Sequence, residues 1–320
     1  MCAARPLVLK IEFVGLRDKA ANPTYMTEPA TQVTISQTLH IPIITLQQGA
    51  NNLQASSTNK GDAMLELNRQ TQPAVQRRLI TSLAHSEAEV LEAQRLRYKV
   101  FAEEMGANLP SANEGIDRDI FDKYCEHLLV RESDGNKVVG TYRILSPDQA
   151  QKIGGYYAQT EFDLTRLLHL SDRMVEVGRS CVHWDYRDGA TITQLWGGLA
   201  QYMQQNGHEY LIGCASISIA DGGHVAASIY RKLHRIYAAP IEYSVFPRNP
   251  LPLHALNQYL DAPIPPLIKG YLRLGAYICG EPAWDAEFNT ADLFILLPMS
   301  RMSDRYAKHF LKTSEHFLKM

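Results

Sequence analysis

Glu176 and Arg179 stand three apart in the run MVEVGRSCV (174–182), whose apolar alternation predicts a strand. Strict alternation would put the two side chains on opposite faces. Gly178 lies between them and is the residue that most cheaply accepts a β-bulge. Such a bulge would reunite the pair and splay the strand from its neighbour, freeing backbone donors for an amide-bearing ligand. A buried Glu–Arg pair is also a structural element in its own right.

The next segment, Tyr186-Arg187-Asp188-Gly189-Ala190, lies between that strand and the start of a helix, where backbone N–H groups and the helix dipole converge. Gly189 permits close backbone approach and Arg187 adds charge, so the turn suits a phosphate of coenzyme A or of a phosphopantetheine arm. The same residues also make a plain turn. Of the acidic residues Glu103, Glu104, Glu114, Asp117, Asp119 and Asp122, most read as a solvated loop. Asp119 and Asp122 directly precede a hydrophobic strand, close enough to the sheet to help bind an ammonium group. Arg143 ends the strand-like run VVGTYRIL, and Arg97 lies on a helix beside Phe101. Ser180, Cys181, His183 and Asp185 are packed into six positions and cannot easily adopt triad geometry. Cys181 and Cys214 on apolar strands read as inert core, and no cluster has zinc spacing, so no metal is expected.

These residues need elements to hold them. Ser86 with Glu89 reads as a capping box, and Val90, Ala93, Leu96, Val100 and Phe101 recur at helical spacing after it. HLLVRE and KVVGTYRIL, separated by Ser133-Asp134-Gly135-Asn136, predict a hairpin. After the strand at 174–182, a helix presents Ile192, Leu195, Trp196, Leu199 and Tyr202 on one face and stops at Gly207. EYLIGCASISI (209–219) is a further strand, and KGYLRLGAYIC with ADLFILLP reads as a helix or strand pair closing the sheet. The order is an α/β arrangement around one sheet.

The formal charge of −2 over 320 residues gives no whole-molecule attraction to nucleic acid or to an anionic membrane. Five cysteines without C-x-x-C spacing argue against a disulfide framework and for a reducing, cytoplasmic setting. The longest apolar runs fall far short of the ~20 residues of a membrane span, and the first ten residues do not read as a secretory signal. Residues 1–75, rich in Thr, Gln, Asn, Ser and Ala, are expected to be a disordered polar extension before a domain at 76–320. Met64, where that composition ends, reads equally as the start of the functional chain or as an ordinary tail residue.

Taken together, Arg97-x-x-x-Phe101, Asp119-x-x-Asp122, VGTYR ending at Arg143, and Glu176-x-x-Arg179 resemble the acyl-homoserine-lactone synthases, a GNAT-like family that acylates an amine from acyl carrier protein. More closely, LRYKVFAEEMGA, FDKYCEHLLV, VGRSCVHWDYRDG, LWGGLAQYM, GCAS, PPLIKGYLRLGAY and FNTADLFILL resemble the L-ornithine N-acyltransferases that begin ornithine-lipid synthesis. This resemblance covers about residues 80–310. The loop AEEMGANLPSANEG lacks the tryptophan of the lactone synthases, which counts against a lactone product. RDGATI is poorer in glycine than the coenzyme A loop of ordinary GNAT enzymes.

The resemblance implies a GNAT-like fold, a central mixed, mostly antiparallel sheet flanked by helices. It implies transfer of a 3-hydroxyacyl group from acyl carrier protein to the α-amine of L-ornithine, giving lyso-ornithine lipid, with no cofactor beyond the donor's phosphopantetheine thioester. It gives Glu176 the orienting or deprotonation of the amine, with Arg179 fixing it. Asp119 and Asp122 would hold substrate ammonium groups, while Arg97, Phe101 and Arg143 would shape the acyl and substrate pocket. Arg187, Gly189 and Ala190 would take the donor phosphate. The product would bring the chain into peripheral contact with the inner membrane. Alternatives are another amino-acid N-acyltransferase or lactone synthase of the same fold, or a non-catalytic regulator that binds acylated carrier protein.

Overall fold

The computed structural model describes residues 78–302; the extension at 1–75, with Met64, lies outside the described residues. Besides a two-residue pairing of Phe162–Asp163 with Phe246–Pro247, the strands are β1 (Leu79–Leu83), β2 (Glu126–Glu132), β3 (Val138–Leu145), β4 (Met174–Val182), β5 (Tyr210–Ser218), β6 (Tyr277–Ile278), β7 (Ala283–Asp285) and β8 (Thr290–Pro298), all in the main sheet. They form one sheet in the order β1-β2-β3-β4-β5-β8-β6, with β7 also on β8. All neighbours are antiparallel except β4 and β5. This is the mixed, mostly antiparallel sheet expected.

The helices are α1 (Glu87–Tyr98), α2 (Pro147–Ile153), α3 (Ala190–Gln205), α4 (His224–Tyr237) and α5 (Pro266–Leu274). The Ser86 hydroxyl caps α1 by accepting the Glu89 N–H, while the Glu89 carboxylate accepts from His85 rather than closing the box on Ser86. α1 runs into a π-helical segment, Lys99–Glu104. Such segments recur at functional sites, and this one sets Val100, Phe101 and Glu104 on a cavity wall.

Strand alternation divides the sheet into two faces. Leu128, Val130, Tyr142, Ile144, Val175, Val177, Leu211 and Ile295 pack on one face with residues of α3, α4 and α5. Met174, Ile212, Phe294 and Leu296 face the other way, against the segment 145–170. Ala93, Leu96, Val100 and Phe101 cover Leu129 and Cys181 on that second face. Among the described residues no helix is long and apolar enough to cross a membrane.

Candidate active site

β4 and β5 register only at Met174–Tyr210, Val175–Leu211 and Glu176–Ile212. At the vertex a Cβ on Gly213 would stand 2.4 Å from the carbonyl oxygen of Val177, so only glycine fits there. Beyond it the pairing ends and a cavity of about 630 Å3 occupies the gap. The β3–β4 register slips, Thr141 facing Cys181 but Arg143 facing Gly178, so β4 carries one extra residue. The expected bulge is therefore present, but the left-handed residue is Arg179 (φ 50°) and not Gly178. A side chain in that region costs about 1–2 kcal/mol, and the contacts of Arg179 hold it there.

Those contacts are two carboxylates and two rings. Arg179 lies 3.3 Å from Asp117 and 3.2 Å from Asp119, with its guanidinium between the rings of Tyr157 (5.0 Å) and Phe288 (4.5 Å). Arg143 Nη1 donates to both oxygens of Asp119 at 2.7 Å and lies 3.3 Å from Asp122. Arg97, 0% exposed, reaches Asp117 at 2.8 Å and Asp122 at 2.7 Å. Burial alone would raise the Asp122 carboxyl, but Arg97, Arg143 and the Asp119 N–H hold it well below the usual carboxylate range. Thus the structure gathers Arg97, Asp119, Asp122, Arg143 and Arg179 into one network. The charge of Asp119 and Asp122 is already balanced by the protein's own arginines. Phe101 lines the cavity edge-on to Phe288.

Glu176 is not ion-paired to Arg179. Its carboxylate, 5% exposed, accepts the N–H groups of Tyr157 at 2.6 Å and Ala158 at 2.7 Å, tying down the segment after α2. Burial raises it to about 7, against the pull of those two N–H groups. Each oxygen keeps a lone pair, and Glu176 and Arg179 both line the cavity.

A second group of carboxylates stands near Cys214. Asp292, 4% exposed, accepts from the hydroxyls of Thr290 (2.8 Å) and Ser216 (3.2 Å). One ligand atom from each of Glu161, Cys214 and Asp292 lies within 4.8 Å of the others. Burial, then Asp292 and Asp285, push the Glu161 carboxyl up to about 9, and burial pushes Asp292 up to about 6.

At the turn, Gly189 (φ 96°) precedes α3, and Arg187 and Gly189 line the cavity. The Ala190 N–H donates to Asp188 at 3.0 Å, and Arg187 pairs with Glu104 at 2.7 Å on the surface. His183 Nδ1 accepts the Asp185 backbone N–H and its Nε2 meets Lys137, so no triad assembles. Burial raises the thiols of Cys181 and Cys214.

The cavity crosses the sheet. Tyr142, Val177, Trp196, Leu267, Tyr271 and Ile295 line it on the α3/α5 face, and Arg143, Glu176, Cys214, Ser216 and Asp292 on the other.

Comparison with known proteins fits this geometry. Residues 96–197 match the acetyltransferase (GNAT) domain family, from the last turn of α1 through the first turns of α3. The L-ornithine N(alpha)-acyltransferase of Brucella abortus (strain 2308) is 37% identical over 255 residues, 74% of this chain and 90% of that protein. The chain belongs to the L-ornithine N(alpha)-acyltransferase family. The Rhizobium meliloti (strain 1021) member is 38% identical over 250 residues, 72% of this chain and 84% of that one. Among solved structures, the acyl-homoserine-lactone synthase LasI overlaps with a TM-score of 0.42 at 14% identity, covering 70% of this chain and 91% of that one.

This member of the L-ornithine N(alpha)-acyltransferase family also has site residues that sequence reasoning passed over. Asp117 reads along the chain as one more solvated acid, yet it binds both Arg97 and Arg179. Asp292 interrupts the apolar run of β8, and a lone charge there is a signal that could have been read. Glu161 and Tyr157 lie in a segment without periodicity, and nothing local marks them.

Proposed function

We propose that the chain transfers a 3-hydroxyacyl group from an acyl carrier protein thioester to the α-amine of L-ornithine. The product is lyso-ornithine lipid, and the reaction begins ornithine lipid biosynthesis. The observation that carries this reading is the cavity through the β4–β5 splay, apolar on one face and polar on the other, in a chain of this family. The acyl chain lies among Trp196, Leu267, Tyr271 and Ile295; the amino acid lies on the side of Glu176 and Arg179.

The neutral amine attacks the thioester carbonyl directly: the C–N bond forms, the carbonyl electron pair moves to oxygen, and collapse breaks the C–S bond. The amine's proton leaves to the base and a proton ends on the thiolate. Desolvation holds Cys181 and Cys214 in the thiol rather than the thiolate form, and the direct path uses no acyl-enzyme. Glu176 takes the amine proton, directly or through one water, since a carboxylate near neutrality suits a general base. Arg179 and Arg143, held by Asp117, Asp119 and Asp122, are the positive groups beside the reacting centre. Arg97 buttresses those acids from behind, and Phe101 packs the cavity wall. Arg187 and Gly189 offer the donor's single phosphate one charged side chain at a helix N-terminus, and Ala190 joins them once the phosphate displaces Asp188 from its N–H. The chain works in the cytoplasm and meets the inner membrane through its amphipathic product.

The purified protein should acylate L-ornithine from a long-chain 3-hydroxyacyl carrier protein better than from the matching acyl-coenzyme A. Lysine should be a poorer acceptor by roughly ten- to two-hundred-fold, with glycine and homoserine poorer still. Products weighed by mass spectrometry decide it: a homoserine lactone, or glycine favoured over ornithine, overturns the assignment.

A further inference from the structure

Four carboxylates line the cavity: Glu104, Glu176, Asp285 and Asp292. Glu104 faces Arg187, and Glu176 holds two backbone N–H groups. Asp285 turns one oxygen to the N–H groups of Glu287 and Phe288. Asp292 rests on two hydroxyls, and behind it both carboxylate oxygens of Glu161 are sealed from solvent without a hydrogen bond that satisfies them. The Tyr157 hydroxyl and the Cys214 thiol stand beside Glu161, as do the like-charged Asp292 and Asp285. Among the described residues no cation forms an ion pair with Glu161, Asp285 or Asp292; Arg179 acts on Asp292 only from a distance.

Buried carboxylates in such number stay together when something positive joins them. An ammonium carries three donors and no acceptor, and it sits about 2.8 Å from each carboxylate oxygen it meets. Two oxygens within 4.8 Å of each other can be bridged by one such nitrogen. The site lies on the Glu176 face of the sheet, where the acceptor amino acid is placed.

We propose that Glu161 and Asp292, with Asp285 beside them, bind the distal ammonium of the acceptor and so select a diamino acid. The inference rests on the reading of the reaction given above. It replaces Asp119 and Asp122 as the ammonium site, because those two are neutralised by Arg97, Arg143 and Arg179. Ser216 and Thr290 orient Asp292, and Cys214 supplies an uncharged wall.

The test compares L-ornithine with L-norleucine, which keeps the length but ends in methyl, in the wild type and in Glu161→Gln and Asp292→Asn. The wild type should prefer ornithine, and each variant should cut the ornithine-to-norleucine ratio in kcat/KM by about ten- to a hundred-fold, the worth of one charged hydrogen bond. Ornithine alone should raise the Tm of the wild type more than norleucine does, and this difference should vanish in both variants; that readout needs no turnover. A ratio unchanged in both variants, with the wild type acylating ornithine, overturns this inference and leaves the reaction standing. A wild type that does not acylate ornithine overturns both. Activity that is lost to a chelator and restored by zinc overturns the ammonium site in favour of a metal on Glu161, Cys214 and Asp292.

Discussion

Two groups of acids flank one cavity and have opposite surroundings. Asp117, Asp119 and Asp122 interlock with Arg97, Arg143 and Arg179, and the guanidinium groups of Arg97 and Arg143 hold the Asp122 carboxyl low against its burial. Glu161 and Asp292 are as deeply set but share only hydroxyls, a thiol and each other, and burial pushes their carboxyls upward. The balanced group is scaffold, fixing Arg143 and Arg179, the two of its arginines that line the cavity. The unbalanced group lacks positive charge, so burial favours its protonated carboxyls, and a cation bound beside them would let them ionise. Residue type does not separate these roles; the partner does.

The largest effect should come from breaking the balanced group. Asp122→Ala strands Arg97 and loosens Arg143, and removing one member of a buried ion pair costs about 3–5 kcal/mol. For a domain of this size that lowers Tm by roughly 10 °C, read by thermal unfolding. The pH profile should agree. The folded-state value of Asp122 is depressed, so its contribution is present above the unfolded carboxylate value and is lost as the medium is acidified through and below it. Asp292→Asn should leave Tm unchanged or raise it, since it removes charge that has no cation. Equal losses in the two variants would erase the contrast.

Glu176 stands between the two groups, on the carboxyl-raising side but tied to backbone N–H groups. Glu176→Gln keeps the shape and should lower turnover by about 10²- to 10⁴-fold, the usual range for a general base, with little change in Tm. In the wild type kcat/KM should rise with pH through a limb near 7, because the base acts only when ionised. That limb should be missing from Glu176→Gln, and a variant with full activity would remove Glu176 from the mechanism.

Much of the scaffold is legible along the chain, because it is built from local patterns. The apolar alternation of 174–182 marks β4 to the residue, and the periodicity from Ser86 marks α1. The bulge is legible from Glu176 and Arg179 lying three apart on a strand. Its position is not: Gly178 offers left-handed freedom, but Arg179 takes the conformation because Asp117, Asp119, Tyr157 and Phe288 hold its side chain there. Those partners come from three distant segments. The acids split the same way. Asp119 and Asp122 stand out before a strand, yet their neutralisation depends on Arg97, Arg143 and Arg179 arriving from elsewhere. Glu161, Cys214 and Asp292 meet only because β5 and β8 pair and the segment after α2 folds over them. Elements β1 and α2 carry no comparable mark, whereas α4 buries Ala226, Ile229, Tyr230 and Leu233 at helical spacing that is open to the same reading.

A smaller effect distinguishes the groups by pH alone. The Glu161 carboxyl is raised in the folded chain to about 9, so its contribution is full below the unfolded value and is lost as pH rises toward 9. Asp292, Asp285 and Glu176 face it with the same sign, beside the Tyr157 hydroxyl and the Cys214 thiol. Ligand-free wild type should therefore lose Tm between pH 6 and pH 9, and Glu161→Gln should lose less. Saturating ornithine should flatten the wild-type curve in the same way, because its ammonium supplies the missing charge. Parallel curves for the wild type and the variant would show that Glu161 carries no excess charge.

The smallest effect calibrates both groups against an ion pair with neither burial nor a network. Arg187 and Glu104 meet at 2.7 Å with the arginine side chain 47% exposed, and solvent-exposed pairs contribute about 0–1 kcal/mol. Removing the pair should leave Tm within a degree or two, in contrast to Asp122→Ala. The same weakness leaves Arg187 free to exchange Glu104 for a phosphate at the start of α3, where Gly189 opens the backbone and Asp188 occupies the Ala190 N–H. Arg187→Ala should therefore raise the KM for the acyl carrier protein donor by roughly three- to ten-fold, the worth of one charge-assisted contact at a wet surface. Its kcat should be nearly unchanged, because the phosphate is distant from the reacting carbonyl. Glu104→Gln, which frees the guanidinium, should lower that KM or leave it unchanged. Donor titrations of the two variants beside the wild type measure both directions, and an unaltered donor KM in Arg187→Ala would make the segment a plain turn.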